Sequence, residues 1–92
     1  MMWTVKLTKK AYKAEQKLPL PVRAAIRLLM KDLRLNGPVA GNWPNYGKLG
    51  DNQHHCHLKK GRPTYVSVWW EIKDAEQDIE VTYVGIHEKA PY

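Results

Sequence analysis

The sequence predicts an α+β domain with the order β-α-α-β-β-β, in which two N-terminal helices pack on an antiparallel sheet. Three apolar patterns predict this class: alternation in the first seven residues, a three- and four-residue spacing between positions 22 and 33, and renewed alternation from position 64. The 92 residues, 43% of them hydrophobic, are enough for one modest core. We therefore expect a single domain spanning residues 1–92.

The first strand and the first helix follow each other directly. Trp3, Val5 and Leu7 alternate with polar residues, as in a half-buried strand. Thr8 is placed to cap a helix over about residues 9–17. The Leu-Pro-Leu-Pro segment that follows ends this helix, because proline cannot continue it.

The second helix has the clearest pattern. Pro21 suits its first turn, where the missing N–H would be unpaired in any case, and Asn36-Gly37-Pro38 supplies its end. Arginine and lysine lie on its other faces. Its apolar stripe is formed by Val22, Ala25, Ile26, Leu29 and Leu33.

A long loop and three strands complete the predicted fold. Residues 36–53 are rich in Gly, Pro and Asn, and we expect Trp43, Tyr46 and Leu49 to attach this loop to the body. The short connections Gly61-Arg62-Pro63 and Asp74–Gln77 make neighbouring strands antiparallel. The three strands are expected at about 54–60, 64–73 and 78–87.

The net charge of +6 is concentrated in the N-terminal half. Residues 1–50 hold ten basic and two acidic residues, whereas residues 51–92 hold five basic and seven acidic ones. This balance favours a polyanionic partner, with nucleic acid first and an acidic protein second. A solvated basic helix surface explains the same charge equally well.

The N-terminus and the cysteine content both indicate a cytoplasmic protein. Charge appears after the first five residues, and no stretch approaches the roughly 20 apolar residues that span a bilayer. Cys56 is the only cysteine, so an intrachain disulfide is impossible. We expect a cytoplasmic location and no membrane contact.

The first candidate site is the basic run Lys59-Lys60-Gly61-Arg62, with Lys48 upstream. Such cations can hold phosphates and stabilise the charge that builds on a scissile phosphate. Neighbouring lysines on a strand point to opposite faces, so at most one of the pair shares a face with a given neighbour. The alternative interpretation is an ordinary charged hairpin end.

The second candidate site is the C-terminal tail, which contains His87, Glu88, Lys89 and Tyr92. These side chains offer the proton transfers needed to cleave RNA without a metal, when the 2′-hydroxyl attacks the adjacent phosphate. That reaction needs a base for the hydroxyl proton, an acid for the leaving 5′-oxygen and cations for the phosphorane. The alternative is a solvated polar tail.

The third candidate site is the His-His-Cys-His run at 54–57. On a strand only two of its side chains reach either face, whereas structural zinc takes four ligands, so we predict no metal. Cys56 and Leu58 are expected to face the core. A cationic, titratable row then faces outward, formed by His55, His57 and Lys59.

The aromatic residues suit either base stacking or packing within the fold. Four Trp and five Tyr without any Phe suit stacking on nucleic-acid bases. We expect Trp70 and Tyr83 to belong to the core. For Tyr65 and Trp69 two interpretations remain, base stacking and packing on the outer face of the sheet.

Two segments of the chain carry a resemblance to a known family. The looser one combines a Trp-led first strand, a Leu-Pro before a Val-Arg helix, and Asn-Gly-Pro after it. The specific one is the last 36 residues: His57-Leu58-Lys59-Lys60-Gly61-Arg62-Pro63-Thr64-Tyr65-Val66 with Trp69, then Ile79-Glu80-Val81 and the run Tyr83-Val84-Gly85-Ile86-His87-Glu88-Lys89-Ala90-Pro91-Tyr92. The chain resembles the RelE/ParE superfamily of bacterial toxins, and within it the RelE-like branch close to HigB-type toxins.

The resemblance implies a toxin of a type II toxin-antitoxin system with a RelE-like fold. The implied activity is that of an endoribonuclease, which cleaves mRNA on the ribosome, in the 30S decoding site, by 2′-hydroxyl attack and without a metal or other cofactor. A cognate antitoxin would bind and inhibit it, and contact with DNA would occur only through the antitoxin complex. The alternative is a non-nuclease toxin of the same fold, such as a gyrase poison, or an inactive antitoxin-binding module.

The family's functional positions correspond to particular residues here. Its basic strand residues match Lys59 and either His57 or Lys60, its turn arginine matches Arg62, and its C-terminal tyrosine matches Tyr92. Many members have an arginine where this chain has His87-Glu88, and the Glu88 carboxylate cannot stabilise a phosphorane. The resemblance thus implies catalytic roles for Lys59, Arg62, His87 and Tyr92. RNA-binding roles are expected for Lys48, His55, His57, Lys60 and Lys89.

Overall fold

A computed structural model describes residues 2–59, 63–72 and 77–92. Two helices and five strands occur within these ranges. In chain order they are β1 (Thr4–Leu7), α1 (Lys9–Glu15), α2 (Leu20–Asn36), β2 (Gly47–Lys48), β3 (Gln53–Lys59), β4 (Tyr65–Glu71) and β5 (Asp78–Ile86), followed by a 3-10 turn at His87–Lys89. Most of both predicted turns, Gly61-Arg62-Pro63 and Asp74–Gln77, lies outside the described residues.

Both helices begin where the sequence predicts. The Thr8 side chain accepts a hydrogen bond from the Ala11 N–H at 3.1 Å, which satisfies one of the unpaired donors of the first turn of α1. Pro21 lies in the first turn of α2. At the other end of α2, Gly37 adopts a φ of 87°, and a Cβ there would lie 3.0 Å from the indole nitrogen of Trp3. Glycine is therefore required at this helix end by both conformation and space.

The sheet confirms the predicted fold class and adds two details. The strand order is β1-β5-β4-β3-β2, and β2, β3, β4 and β5 pair antiparallel in succession. β1 runs parallel to β5, so the sheet is mixed rather than wholly antiparallel. Strand β2 lies within the predicted loop.

One face of the sheet packs under α2 to form the core. Cys56 and Leu58 of β3 are buried there, as predicted. Trp69 is also buried, and its indole N–H donates to the Pro38 carbonyl at 2.9 Å. The other core residues include Val5, Val22, Ile26, Leu29, Leu33, Ile79, Val81 and Val84.

The expected position of Trp70 in the core is wrong. Its side chain is 41% exposed, whereas that of Trp69 is fully buried. The alternation on β4 is as predicted, but Val66 and Val68 on the Trp70 face are buried as well. Because both faces of this strand are apolar, alternation shows which residues share a face without showing which face the helices cover. Tyr83 lies opposite Val68, on the face away from α2, and is only half-buried.

A buried carboxylate joins the two helices. Glu15 at the end of α1 is fully buried, and its oxygens lie 2.9 Å from Arg27 and 3.5 Å from Arg23 of α2. Two of the N-terminal cations therefore have a structural partner, since a buried carboxylate is stable only when paired.

Candidate functional site

The face of the sheet away from α2 carries two histidines of β3. His55 lies opposite Val68 and His57 opposite Val66, so both histidines belong to this face. The alternation that buries Cys56 and Leu58 on the other side places them there. The predicted pairing of His55 with His57 on one face is confirmed.

The C-terminal tail contacts this face of the sheet. After β5, the 3-10 turn carries His87, and the tail ends with Tyr92 beside the histidines of β3. The ring centroids of His55 and Tyr92 are 4.6 Å apart, those of His87 and Tyr92 are 5.6 Å apart, and those of His57 and His87 are 5.6 Å apart. These four side chains, His55, His57, His87 and Tyr92, are called the ring cluster below.

Backbone contacts hold the tail at this position. The His87 N–H donates to the carbonyl of Thr64 at 2.8 Å, which joins the tail to the start of β4. The Tyr83 hydroxyl donates to the Ile86 carbonyl at 2.7 Å. A Cβ at Gly85 would lie 2.7 Å from that hydroxyl, so glycine is needed for the close approach.

The surroundings of His55 favour its neutral form. Burial lowers the pKa of the imidazole, and the nearby His57 and His87 lower it further. Its Nδ1 atom is buried without a hydrogen-bond partner. On the other side, a Cβ at Gly47 of β2 would lie 3.1 Å from its Nε2 atom. His55 is thus a neutral ring packed between β2 and Tyr92.

The surroundings of Tyr92 favour its neutral phenol. Burial raises its pKa, and the neighbouring Cys56 and Tyr83 raise it further. The side chain is nevertheless 44% exposed and can contact a ligand. Near neutral pH its hydroxyl is therefore a proton donor rather than a base.

The structure describes three of the predicted cations, Lys48, Lys59 and Lys89. A bulge at Leu58 interrupts the strand register, so that Lys59 lies opposite Tyr65, which packs against the core. Of the predicted row, His55 and His57 therefore share a face, but Lys59 does not, because a bulge shifts the alternation by one residue. Lys48 of β2 and Lys89 of the 3-10 turn are exposed. Lys60 and Arg62 lie outside the described residues.

Sequence reasoning missed a buried polar network on the opposite face. His54 is fully buried, with its Nδ1 atom 2.7 Å from the Tyr46 hydroxyl and its Nε2 atom 2.9 Å from a carboxylate oxygen of Glu71. Its ring stacks against Trp69, with centroids 5.9 Å apart. Burial and the charge of Glu71 raise the pKa of Tyr46. No local pattern could reveal this network, because its members come from the loop, β3 and β4.

Two of the three predicted residues, Trp43 and Tyr46, attach the loop to the body. The Trp43 indole donates to an Asp32 carboxylate oxygen at 2.8 Å, and Tyr46 contacts His54. Loop residues thereby reach both α2 and β3, and the loop leads directly into β2 beside His55.

The described residues contain neither a cluster of metal ligands nor a membrane-spanning helix. Among residues 2–59, 63–72 and 77–92, no group of three or more His, Cys, Asp or Glu side chains could hold a metal ion. No helix in the same ranges is both long enough and apolar enough to cross a membrane.

Comparison with solved structures identifies one class: the chain has the fold of the RelE toxins. A mutant of the E. coli toxin RelE in the free state is similar with a TM-score of 0.73 and 19% identity, over 98% of this chain and 88% of that one. The isolated E. coli RelE toxin gives a TM-score of 0.67 and 20% identity, over 97% of this chain and 88% of that one.

An archaeal structure extends the similarity. RelE in the RelE-RelB complex from Pyrococcus horikoshii gives a TM-score of 0.69 and 15% identity, over 98% of this chain and the whole of that one. No family profile and no curated protein matches the sequence. The similarity is therefore one of fold.

Proposed function

We propose that this chain is a single-domain toxin of a type II toxin-antitoxin system and that it cleaves mRNA on the ribosome. The observation that carries the proposal is the ring cluster, in which strand β3 and the tail of a RelE fold bring three imidazoles and a phenol into contact. Imidazole and phenol are the groups that exchange protons near neutral pH with a reacting hydroxyl or phosphate ester.

The proposed reaction is attack of a 2′-hydroxyl on the adjacent phosphate. His87, which contacts both His57 and Tyr92, takes the 2′-hydroxyl proton. Tyr92 donates the proton of its neutral phenol to the leaving 5′-oxygen. The products are a 2′,3′-cyclic phosphate and a free 5′-hydroxyl. Each of these proton transfers contributes roughly 10²–10⁴-fold to the rate.

Cations and two imidazoles of the ring cluster complete the proposed site. Lys59 and Arg62 stabilise the phosphorane, and the residues that hold the flanking RNA are His55, His57, Lys48, Lys60 and Lys89. The net charge of +6 supports binding of a polyanion. No metal or cofactor is part of this proposal.

The partners follow from the same fold. The Pyrococcus horikoshii RelE is found in a complex with RelB. We infer that this chain is likewise neutralised by a cognate antitoxin, that it reaches mRNA in the 30S decoding site, and that it approaches DNA only through the antitoxin complex. The proposed location is the cytoplasm.

A cell-free translation extract tests the proposal. Wild-type protein is expected to halt synthesis and to leave new mRNA ends within the translated region, and His87→Ala should leave the message intact. Lys13→Ala removes an exposed cation far along the chain from the ring cluster and is the matched control. Stalled synthesis with intact message would overturn the nuclease proposal.

One observation favours a second candidate function. Glu88 follows His87 in the exposed 3-10 turn, and an anion at this point opposes the charge of a phosphorane. The second candidate is a non-nuclease toxin of the same fold, such as a gyrase poison, or an inactive antitoxin-binding module. It predicts that His87→Ala and Tyr92→Phe leave growth inhibition and antitoxin binding unchanged.

A further inference from the structure

A groove of about 440 Å³ lies beside the ring cluster. Residues from α1, three strands and the tail line it, among them Lys10, Gln53, Trp70, Thr82, Tyr83 and Lys89. Its volume falls within the range of roughly 300–1,000 Å³ that is typical of small-ligand sites. Of these lining residues, only Lys89 has a role in the reaction proposed above.

The groove lies where the regular strand pairing around β5 is interrupted. β1 pairs with β5 only as far as Val81, and the chain then turns into α1. The register between β4 and β5 shifts at the same point and leaves Thr82 without a cross-strand partner. The end of β1 and this bulge lie where α1 packs on β5, and the groove is beside them.

The chemistry of the lining fits a nucleotide. The Trp70 side chain is 41% exposed at the groove, so a base can stack on its indole. Lys10 and Lys89 are both exposed and supply two cations for phosphate. The amide of Gln53 and the hydroxyl of Thr82 provide hydrogen-bond donors and acceptors for a base edge or a ribose.

The groove and the ring cluster are parts of one surface. Gln53 lies opposite Trp70 in the register of β3 and β4, two residues from the pair formed by His55 and Val68. Two residues along a strand span about 7 Å. Lys89, which lines the groove, is also in the 3-10 turn that carries His87. A chain of nucleotides can therefore contact both places at once.

We propose that this groove binds the base of a nucleotide next to the scissile phosphate, stacked on Trp70, with the adjoining phosphates held by Lys10 and Lys89. This inference rests on the proposed function, because it gives the substrate RNA a second point of contact. It adds a binding residue, Trp70, and a contribution from α1 to a site otherwise built from the sheet and the tail.

Photo-crosslinking tests the contact directly. Ribosomes are programmed with an mRNA that has a 2′-deoxynucleotide at the cleavage position and 5-iodouridine on either side of it. After irradiation with wild-type protein, mass spectrometry of the crosslinked peptides should identify Trp70. The crosslink should be lost in Trp70→Ala and kept in Trp70→Phe. Crosslinks found only outside the groove would overturn the inference.

Steady-state cleavage of unmodified message separates this inference from the proposed function. Trp70→Ala should raise KM by about 10-fold or more with little change in kcat, as expected when a stacked base loses its aromatic partner. Trp70→Phe should restore most of the affinity. Lys10→Ala should reduce the salt dependence of KM, since one phosphate contact is lost.

Two variants serve as matched controls. Tyr12 is half-exposed on α1 and does not line the groove, so Tyr12→Ala should leave KM unchanged, as should Lys13→Ala. If wild-type protein cleaves the message and Trp70→Ala has the wild-type KM, the groove inference fails alone. If wild-type protein leaves the message intact, the proposed function fails and this inference fails with it.

Discussion

The imidazole of His55 lies against the phenol of Tyr92, with the ring centroids 4.6 Å apart and the planes inclined at 36°. His55 comes from the middle of β3 and Tyr92 from the tail beyond β5. The contact therefore holds the tail, which follows β5, in place against strand β3. We regard His55 as a positioning residue for the hydroxyl of Tyr92.

Replacing His55 tests this positioning role. His55→Ala removes the ring that packs on Tyr92 and should lower kcat by roughly 10- to 100-fold, because small displacements of a reacting group are costly. His55→Phe keeps an aromatic contact and should retain most of the activity. Activity is measured as cleavage of ribosome-bound mRNA at saturating substrate. Equal activity of His55→Ala and wild type would contradict the positioning role.

The Tyr92 hydroxyl is tested by a variant that preserves packing. Tyr92→Phe keeps the rings in contact and removes only the proposed proton donor, so kcat should fall by roughly 10²–10⁴-fold. The melting temperature should stay close to that of wild type. Tyr12→Phe, at an exposed tyrosine outside the ring cluster, is the control and should be fully active. A fully active Tyr92→Phe would remove Tyr92 from the reaction.

The lowered pKa of His55 predicts how stability depends on pH. Because the folded-state pKa lies below the unfolded value of about 6.5, the unfolded chain binds a proton first as the pH falls. The contribution of His55 to stability is complete above pH 6.5 and is lost as the pH falls toward the folded-state pKa. The decrease in melting temperature from pH 7.5 to pH 5.5 should therefore be smaller in His55→Phe. An identical decrease in both proteins would contradict this origin.

The buried network behind the sheet makes a prediction about stability. Tyr46→Phe removes the hydroxyl 2.7 Å from the Nδ1 atom of His54 and leaves that buried atom without its partner. The cost should be about 1–2 kcal/mol in the free energy of unfolding, measured by urea denaturation. Tyr12→Phe again provides the control and should be neutral. If both variants had the same stability, the hydrogen bond to His54 would contribute nothing measurable.

Much of the fold follows from patterns that are local in the sequence. The Thr8 cap, Pro21 in the first turn of α2 and Gly37 at its end each reflect a conformational preference of a single residue, and each occurs as predicted. The antiparallel pairing of β3, β4 and β5 follows from the short connections between them. The parallel pairing of β1 with β5 has no such local signal.

The details of the site depend on contacts that no local pattern contains. The bulge at Leu58 removes Lys59 from the row of His55 and His57, and Thr82, at the bulge of β5, lines the groove beside α1. The choice of Trp69 over Trp70 for the core depends on where α2 packs. Alternation did predict that His55 and His57 share a face, and the structure brings the predicted His87 and Tyr92 into contact with them.

The terminal groups on the new mRNA ends provide the most direct test of the proposed reaction. Message recovered from a translating extract after addition of wild-type protein is analysed for its terminal groups, with Tyr92→Phe in parallel. Attack by the 2′-hydroxyl predicts a 2′,3′-cyclic phosphate on one fragment and a free 5′-hydroxyl on the other, and a strong reduction of both in the variant. A 5′-phosphate with a free 3′-hydroxyl, which requires attack by water, or a message left intact, would contradict it.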